Sequence, residues 1–497
     1  MDKHTICLMN DSFPPLIDGV ANAVMNYAKN IELSHGHAVV ATPAVPGTDD
    51  SGYPFPVLRY PSIDTRRLVG YVAGYPFSPE TAKRIREEGT ELLHTHCPVS
   101  SAILARSLRE VIHAPVVLTY HTKYDIDIAK AVRSKLIQEG AIRALVENVS
   151  ACDEVWVVSR GAGENLRSLG YEGEYIVMEN GVDVPRGTVD DAAVAAATGE
   201  YDLPRGVPLF LFVGRLMWYK GLRIILDALK TLRAEGVDFR MVFIGDGADG
   251  AEVREYAREL SDKCFFTGAI SDRETIRAWY TRADLFLFPS TFDTNGLVVR
   301  EAAASGTATV MIAGSCAAEG VTDGRNGFFI EENAASMAQK LRELCAAPET
   351  VRAVGECAAR ELYISWEEAV SRACERYGIV IDNYRSGRYE KHRKPLDSFY
   401  QSQGELMDAL GQIADLGSGM RDSVVSGGQE MRERLIATGE ELRDSVERTG
   451  EELRDSVEKA REELEKSIEQ RQKKRRKEME EFQARMLKNW EDMDWYL

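Results

Sequence analysis

The chain has 497 residues, more than one ordinary domain holds, so two core domains and an extension are expected. Its formal charge of −18 argues against a nucleic-acid binder as a whole, and 44% hydrophobic with 28% charged residues is the composition of a soluble globular protein. No stretch has the length of an apolar membrane-spanning helix, no secretory h-region precedes the first strand, and the eight cysteines form no Cys-x-x-Cys pair, which predicts reduced thiols in a cytoplasmic protein without a zinc site.

In chain order, residues 5–9 form a short apolar strand, 10–19 a loop rich in turn residues, and 20–31 a run of helical periodicity. Gly19 stands at that helix entrance, where a phosphate or sugar could approach the backbone closely. The pattern lacks the Gly-x-Gly-x-x-Gly fingerprint and is a weak signal alone. Residues 35–41 enter a second strand. Residues 92–96 and 115–122 are further strands that end at or beside His94, His96 and His121. Polar residues at the C-terminal ends of parallel strands lie where open α/β sheets bind ligands, although a lone histidine is more often structural. Residues 125–145 read as one amphipathic helix carrying Lys130, Arg133, Lys135 and Arg143. It either packs on the sheet or docks on a membrane surface. Residues 154–159 and 176–183 complete the strands of a first half. Residues 185–206, rich in Gly, Ala and Asp, read as a linker.

The second half begins with a strand at 207–214. Then comes Gly214-Arg-Leu-Met-Trp-Tyr-Lys-Gly221, which places Arg215 and Lys220 in a strand-to-helix loop between glycines. A guanidinium fork and a mobile ammonium there make a clamp for a diphosphate, against the alternative of two solvated cations. The apolar strand 283–288 runs into Pro289-Ser-Thr-Phe-Asp-Thr-Asn-Gly-Leu-Val-Val-Arg-Glu-Ala302. Gly296 opens a helix whose free N–H groups, from Asn295 to Val298, and whose dipole favour an anion. Asp293 and Glu301 could bracket a phosphorylated ligand; the bland alternative is an N-cap acid and a solvated helical glutamate. Residues 308–313 are another strand, 320–330 a hairpin-like turn, and 363–384 the terminal helices.

These ordered segments resemble glycosyltransferase family 4 over residues 1–385. The resemblance implies a GT-B α/β fold: two Rossmann-like doubly wound domains, 1–184 and 207–360, facing a cleft, with 361–385 crossing back to the first. It implies transfer of a hexose from a nucleotide diphosphate sugar, most commonly UDP-linked, with retention at the anomeric carbon and no cofactor or metal. In that family Glu301 matches the acid on the donor ribose. Asp293 matches the acid on the sugar, one methylene shorter than the usual Glu. Asn295, Gly296, Leu297 and Val298 match the cradle of the distal phosphate. Arg215 and Lys220 match the cations on the leaving diphosphate, His121 the histidine near the reacting carbon, and Gly19 the first loop. The loop 290–296 is similar to that of diacylglycerol glycosyltransferases. Two acceptors stay open: a membrane lipid such as diacylglycerol, which the basic helix, the basic linker and the tail suit, with the protein peripheral at the inner membrane face, or a soluble or cell-surface glycan. A reading of another class is an oligomeric or membrane scaffold with a weakened transferase domain; intact Arg215, Lys220 and Glu301 argue against it.

The tail lies outside the resemblance. A basic linker, 386–402, precedes a helical segment, 403–497, with an 11-residue repeat: Thr438-Gly-Glu-Glu-Leu-Arg-Asp-Ser-Val-Glu-Arg448 is followed by a near-identical copy from Thr449. Eleven residues over three turns keep a narrow apolar stripe almost in phase, as in a right-handed coiled coil that would make a homo-oligomer. The basic cluster 471–477, with Trp490, Trp495 and Tyr496, suits an anionic membrane surface instead. The reading adopted is self-association, with the basic end and aromatics touching membrane.

Overall fold

The computed structural model describes residues 3–16, 18–65, 72–131, 134–389, 394 and 396–423. They fall into two compact units, the larger comprising Met1–Pro76, Arg84–Ala105 and Ile112–Glu390.

The larger unit holds two parallel sheets. The first has strands β1 (His4–Met9), β2 (Gly36–Pro43), β3 (Val57–Tyr60), β4 (Leu92–Thr95), β5 (Val116–Tyr120), β6 (Glu154–Val157) and β7 (Ile176–Val177), in the order β3-β2-β1-β4-β5-β6-β7. The second has β8 (Leu209–Val213), β9 (Arg240–Ile244), β10 (Cys264–Gly268), β11 (Leu285–Phe288), β12 (Ala308–Ile312) and β13 (Phe328–Ile330), in the order β10-β9-β8-β11-β12-β13. Strands such as Leu-Phe-Leu-Phe-Val and Leu-Phe-Leu-Phe are buried at every position, as a sheet covered on both faces requires. Each order reverses once, beside β1 and β4 in the first sheet and beside β8 and β11 in the second. These are the doubly wound switch points, and an open α/β sheet binds ligands at the C-terminal ends of the strands that flank them.

Helix α1 (Gly19–Asn30) covers the first sheet, and its start is capped by Asp18. The segment 125–145 is two helices, not one. Helix α2 (Tyr124–Ala131) ends before Ser134, which is extended (φ −79°, ψ 116°) and stands at the start of α3 (Lys135–Ser150). Helix α4 (Arg160–Ser168) follows β6, with Ser159 capping it through Ala162 N. The 185–206 stretch is not plain linker. Its alanine run forms α5 (Asp191–Thr198), capped by Asp190, and Ala197 and Tyr201 pack on the second sheet's core. Helices α6 (Leu222–Ala234) and α7 (Leu297–Ala304) follow β8 and β11. Residues 320–330 close no antiparallel hairpin: Asn326 Oδ1 ties the turn to Thr322 N at 2.7 Å, and β13 joins β12 in parallel. Helix α8 (Trp366–Arg385) returns to the first sheet's core, where Trp366, Val370, Ala373, Tyr377 and Ile381 pack with Val24, Tyr27 and Trp156.

The smaller unit comprises Phe77–Lys83, Arg106–Val111 and Lys391–Leu497. Helix α9 (Asp397–Ser423) starts inside the stretch expected to be a basic linker and buries Tyr400 and Met407. The repeat at 438–459, the basic cluster 471–477 and the terminal aromatics lie outside the described residues.

Candidate active site

Two loops leave the second sheet at its switch point, one after β8 and one after β11. They are in direct backbone contact. Gly221 has φ +77°, and a Cβ there would sit 2.0 Å from the Pro289 carbonyl oxygen, so only glycine fits. The 3-10 turn Trp218–Lys220 just before it is held by Trp218 N–H donating to Asp249 Oδ2 at 2.8 Å. This places Lys220 over the second loop. Its Nζ lies 2.5 Å from Asp293 Oδ1, and Ser290 Oγ donates to the other carboxylate oxygen at 2.6 Å. The Arg215 side chain is exposed and makes no ion pair among the described residues.

Helices α6 and α7 both start on left-handed glycines, Gly221 and Gly296, without a side-chain cap. At Gly296 (φ +58°) a Cβ would lie 2.8 Å from Ala317 Cα. The first amides of both helices therefore lack the cap that most helices supply for themselves, and they carry the positive end of the dipole. Beside them, both amide atoms of Asn295 are buried without a protein partner among the described residues. Leu297 and Val298 supply the opening amides of α7.

Glu301 sits in the second turn of α7 with its side chain only 14% exposed. Tyr280 Oη donates to its Oε2 at 3.3 Å, and Arg273 Nη1 lies 3.5 Å from Oε1. Burial raises the Glu301 carboxyl above its ordinary range, opposed by the Arg273 charge and the Tyr280 bond. Arg273 also reaches Asp183 Oδ2 at 3.4 Å. Glu301 is thus a restrained, poorly solvated acceptor with its own partners, separate from the Lys220–Asp293 pair.

The first sheet brings His121 to the same loop. The His121 carbonyl accepts from Thr294 Oγ1 at 2.8 Å, and Ser159 Oγ donates to the Thr294 carbonyl. His121 Nε2 is bonded to His96 Nδ1 at 2.9 Å. Desolvation pushes the His121 pKa down to about 3, so the ring is neutral at pH 7. His94 is a core residue: its nitrogens bond Tyr377 Oη at 2.6 Å and Thr119 Oγ1 at 2.7 Å. Gly19 opens α1, but no atom lies within 4 Å of where its Cβ would be. The amides of Val20 and Ala21 are already bonded to Asp18 Oδ1, at 2.8 and 2.7 Å.

Several residues escaped the sequence reading. Ser290, Thr294, Tyr280 and Arg273 bind the residues it named. Glu319 accepts from the amides of Arg160 and Gly161 at 2.6 and 2.5 Å, filling the start of α4. Asp11 joins the loops at the first switch point, accepting from the Ser100 and Ser101 amides at 2.8 and 2.7 Å. Its signal was an acid two residues after the end of a strand.

A family model described as glycosyl transferases group 1 matches residues 197–361, and one described as glycosyltransferase family 4 matches residues 17–186. The chain is 25% identical over 315 residues to an alpha-monoglucosyldiacylglycerol synthase of Streptococcus pneumoniae, covering 61% of this chain and 70% of that one. An alpha-monoglucosyldiacylglycerol synthase of Acholeplasma laidlawii is 23% identical over 390 residues, 74% of this chain and 95% of the relative. Among solved structures, HepE of Anabaena in complex with UDP superposes with a TM-score of 0.61 at 16% identity, over 76% of this chain and all of that one. That likeness is one of fold.

Proposed function

The chain belongs to glycosyltransferase family 4 and has the GT-B fold, and we propose that it is a retaining hexosyltransferase that moves a sugar from a UDP-linked donor to a hydroxyl of a membrane lipid such as diacylglycerol. The observation that carries this reading is the meeting of Lys220, Asp293 and two uncapped helix starts where the loops after β8 and β11 touch.

As the bond from the anomeric carbon to the phosphate oxygen lengthens, negative charge gathers on the diphosphate. Lys220 and the opening amides of α6 and α7 are preorganised positive potential for that charge, and the exposed Arg215 side chain adds a guanidinium that a bound diphosphate can recruit. Lys220 is paired with Asp293 until a donor arrives. A diphosphate is the stronger attractor for the ammonium, and its arrival frees Asp293 to accept hydrogen bonds from the sugar hydroxyls. Glu301, restrained by Tyr280 and Arg273, accepts from the ribose. For retention, the acceptor oxygen attacks the face the phosphate is leaving. The new C–O bond forms as the old one breaks, and the acceptor proton passes to the departing phosphate oxygen. This route needs no side-chain nucleophile.

The lipid acceptor is carried over from the two synthases named above. It is supported by α3, whose Leu136 and Ile137 are 69% and 59% exposed beside Lys135, a surface suited to a lipid interface. The test is transfer by the purified full chain from a panel of nucleotide sugars to anionic vesicles containing diacylglycerol, with the anomeric configuration of the product read by NMR. A vesicle-dependent α-glycolipid from an α-linked donor is expected. Donor hydrolysis without glycolipid would redirect the acceptor to a soluble glycan, and failure to bind any nucleotide sugar would overturn the transferase reading itself.

A further inference from the structure

We propose that His96 is a positioning residue for His121: His96 Nδ1–H donates to His121 Nε2, fixes His121 as the Nδ1–H tautomer, and so turns His121 into a hydrogen-bond donor toward an oxygen of the bound sugar. The proposal rests on the transferase reading of the site.

The bond between the rings is short and in line. Nδ1 of His96 and Nε2 of His121 are 2.9 Å apart. The ring centroids are 5.2 Å apart with the planes 27° from parallel, which is two imidazoles meeting nitrogen to nitrogen along their edges. Both rings are buried and desolvation keeps both neutral, so one proton lies between them and one ring owns it.

The surroundings of His96 decide which ring that is. His96 is fully buried, and its Nε2 has no partner among the described residues. If His96 accepted from His121, its own proton would sit on Nε2 as an orphaned buried N–H. If His96 donates, Nε2 holds only an unused lone pair. Orphaned donors are the rarer and costlier of the two. The adjacent His94 ring, 4.0 Å away between centroids, has both nitrogens committed to Tyr377 and Thr119, and the one other unpartnered buried group beside His96 among the described residues is the Tyr27 hydroxyl, which can donate to a bare Nε2. Tyr27 meets His96 edge-on at 5.3 Å.

On His121 the consequence is opposite in sign. With Nε2 accepting, the proton must be on Nδ1, since the bonds His121 makes among the described residues engage only Nε2 and the backbone carbonyl. The backbone carbonyl of His121 is bonded to Thr294, between Asp293 and the α7 cradle, which brings the residue to the edge where the loops of the two sheets meet. A histidine's partner on one nitrogen sets what the other can do, and here that partner is a second histidine twenty-five residues upstream.

The experiment reads the tautomer directly in the full chain labelled with [15N]histidine, with His121 assigned by the signal lost in His121→Gln. A protonated Nδ1 and a bare Nε2 on His121 are expected. His96→Phe, which keeps an aromatic ring without nitrogen, should abolish that state, as should His96→Gln, whose amide stands near Nε2. His96→Asn, whose amide N–H stands near Nδ1, should restore it. In transfer assays kcat/KM for the sugar donor should fall on the order of 3–10-fold in the Phe and Gln variants, the worth of one hydrogen bond, and recover in the Asn variant. The Kd for UDP alone should stay within about twofold, because UDP carries no sugar for His121 to meet. A protonated Nε2 on His121 in the unaltered chain would overturn the proposal, and so would undiminished kcat/KM in a folded His96→Gln chain. If the chain transfers no sugar, the functional reading fails, while the ring nitrogens still report whether His96 sets the tautomer.

Discussion

Lys220 and Asp293 are seventy-three residues apart in the chain and 2.5 Å apart in space, so the cation expected on the diphosphate and the acid expected on the sugar are bonded to each other. The pair is 12% and 23% exposed, shielded enough that the attraction matters and open enough that a ligand can replace either partner. On the proposed roles, with Lys220 on the diphosphate and Asp293 on the sugar, a donor breaks this pair, and this yields an asymmetric prediction. Asp293→Asn removes the carboxylate that competes for Lys220, so UDP should bind about threefold more tightly while sugar transfer falls roughly tenfold or more. Lys220→Ala should weaken UDP binding and lower transfer by about 10²–10³-fold. Calorimetric titration with UDP beside a transfer assay checks both; weaker UDP binding in Asp293→Asn would show that the pair does not compete with the ligand.

Glu301 makes the second prediction. Its burial raises the carboxyl pKa, so its charge is held at a cost to the fold, offset in part by Arg273 and Tyr280. Glu301→Gln keeps the shape and an acceptor while removing that charge. Thermal stability should hold or rise, and nucleotide affinity should fall by about 1.5–3 kcal/mol, the worth of a hydrogen bond to a charged acceptor. Melting temperature and UDP affinity measured on the same preparation separate the two effects.

The parts of the fold legible in the sequence are those where local pattern and burial agree. The strands 209–213 and 285–288 are unbroken apolar runs because both faces of their sheet are covered. The loops that follow them were legible through glycine, which the Gly221 contact with Pro289 demands. What could not be read is what depends on strand order. Lys220 reaches Asp293 only because β8 lies next to β11, with two strands of sequence between them. His96 reaches His121 only because β4 lies beside β5. Helix α5 was hidden by composition: alanines among Gly and Asp look like linker until Asp190 caps them. The break at Ser134 was hidden too, since the apolar periodicity passes through it.

Gly221→Ala should be among the most damaging small substitutions. It combines a positive φ with a Cβ placed 2.0 Å from the Pro289 carbonyl oxygen, and any relief must push the Lys220 turn away from the Asp293 loop. A loss of roughly 1–3 kcal/mol or more in stability is expected from the backbone conformation alone. UDP affinity should fall with it. Gly19→Ala, which meets no atom within 4 Å, is the contrasting variant and should leave the melting temperature within a degree or two of the parent.

Acid should unfold the larger unit through its histidines. Burial holds His94, His96 and His121 below their ordinary pKa, His121 at about 3. As pH falls below about 6.5 the unfolded chain takes up protons that the fold refuses. Stability is therefore complete above that pH and lost on acidification, at about 1.4 kcal/mol per pH unit for each histidine. Asp11 and Glu301 act with the opposite sign at lower pH, since burial raises both carboxyls and the fold binds their protons first. The histidine contribution is isolated by difference: His94→Gln should flatten the dependence of unfolding free energy on pH between about 6 and 5 by about that amount. An unchanged slope in denaturant titrations at those pH values would assign the acid sensitivity elsewhere.

The smaller unit decides where the C-terminal extension can be cut. Arg106 is 1% exposed, with its Nε 3.1 Å and its Nη2 2.5 Å from Asp397 Oδ1 and its guanidinium carbon 4.6 Å above the Tyr400 ring. Four residues further on, a Cβ at Gly404 would lie 1.9 Å from the Ser107 carbonyl oxygen, so this turn of α9 packs backbone to backbone. The start of α9 is therefore a structural element of that unit, and a chain ending at residue 396 loses it. Such a chain should lose about 2–5 kcal/mol of stability as the buried Tyr400 and Met407 side chains are removed, and Gly404→Val should mimic much of that loss in the full-length protein. A chain ending at residue 423 keeps these contacts and should melt like the parent. Vesicle binding and oligomer mass compared between the full chain and the chain ending at 423 then report on residues 424–497 alone. A lower melting temperature for the longer truncation product would place part of the stabilising contact beyond residue 423.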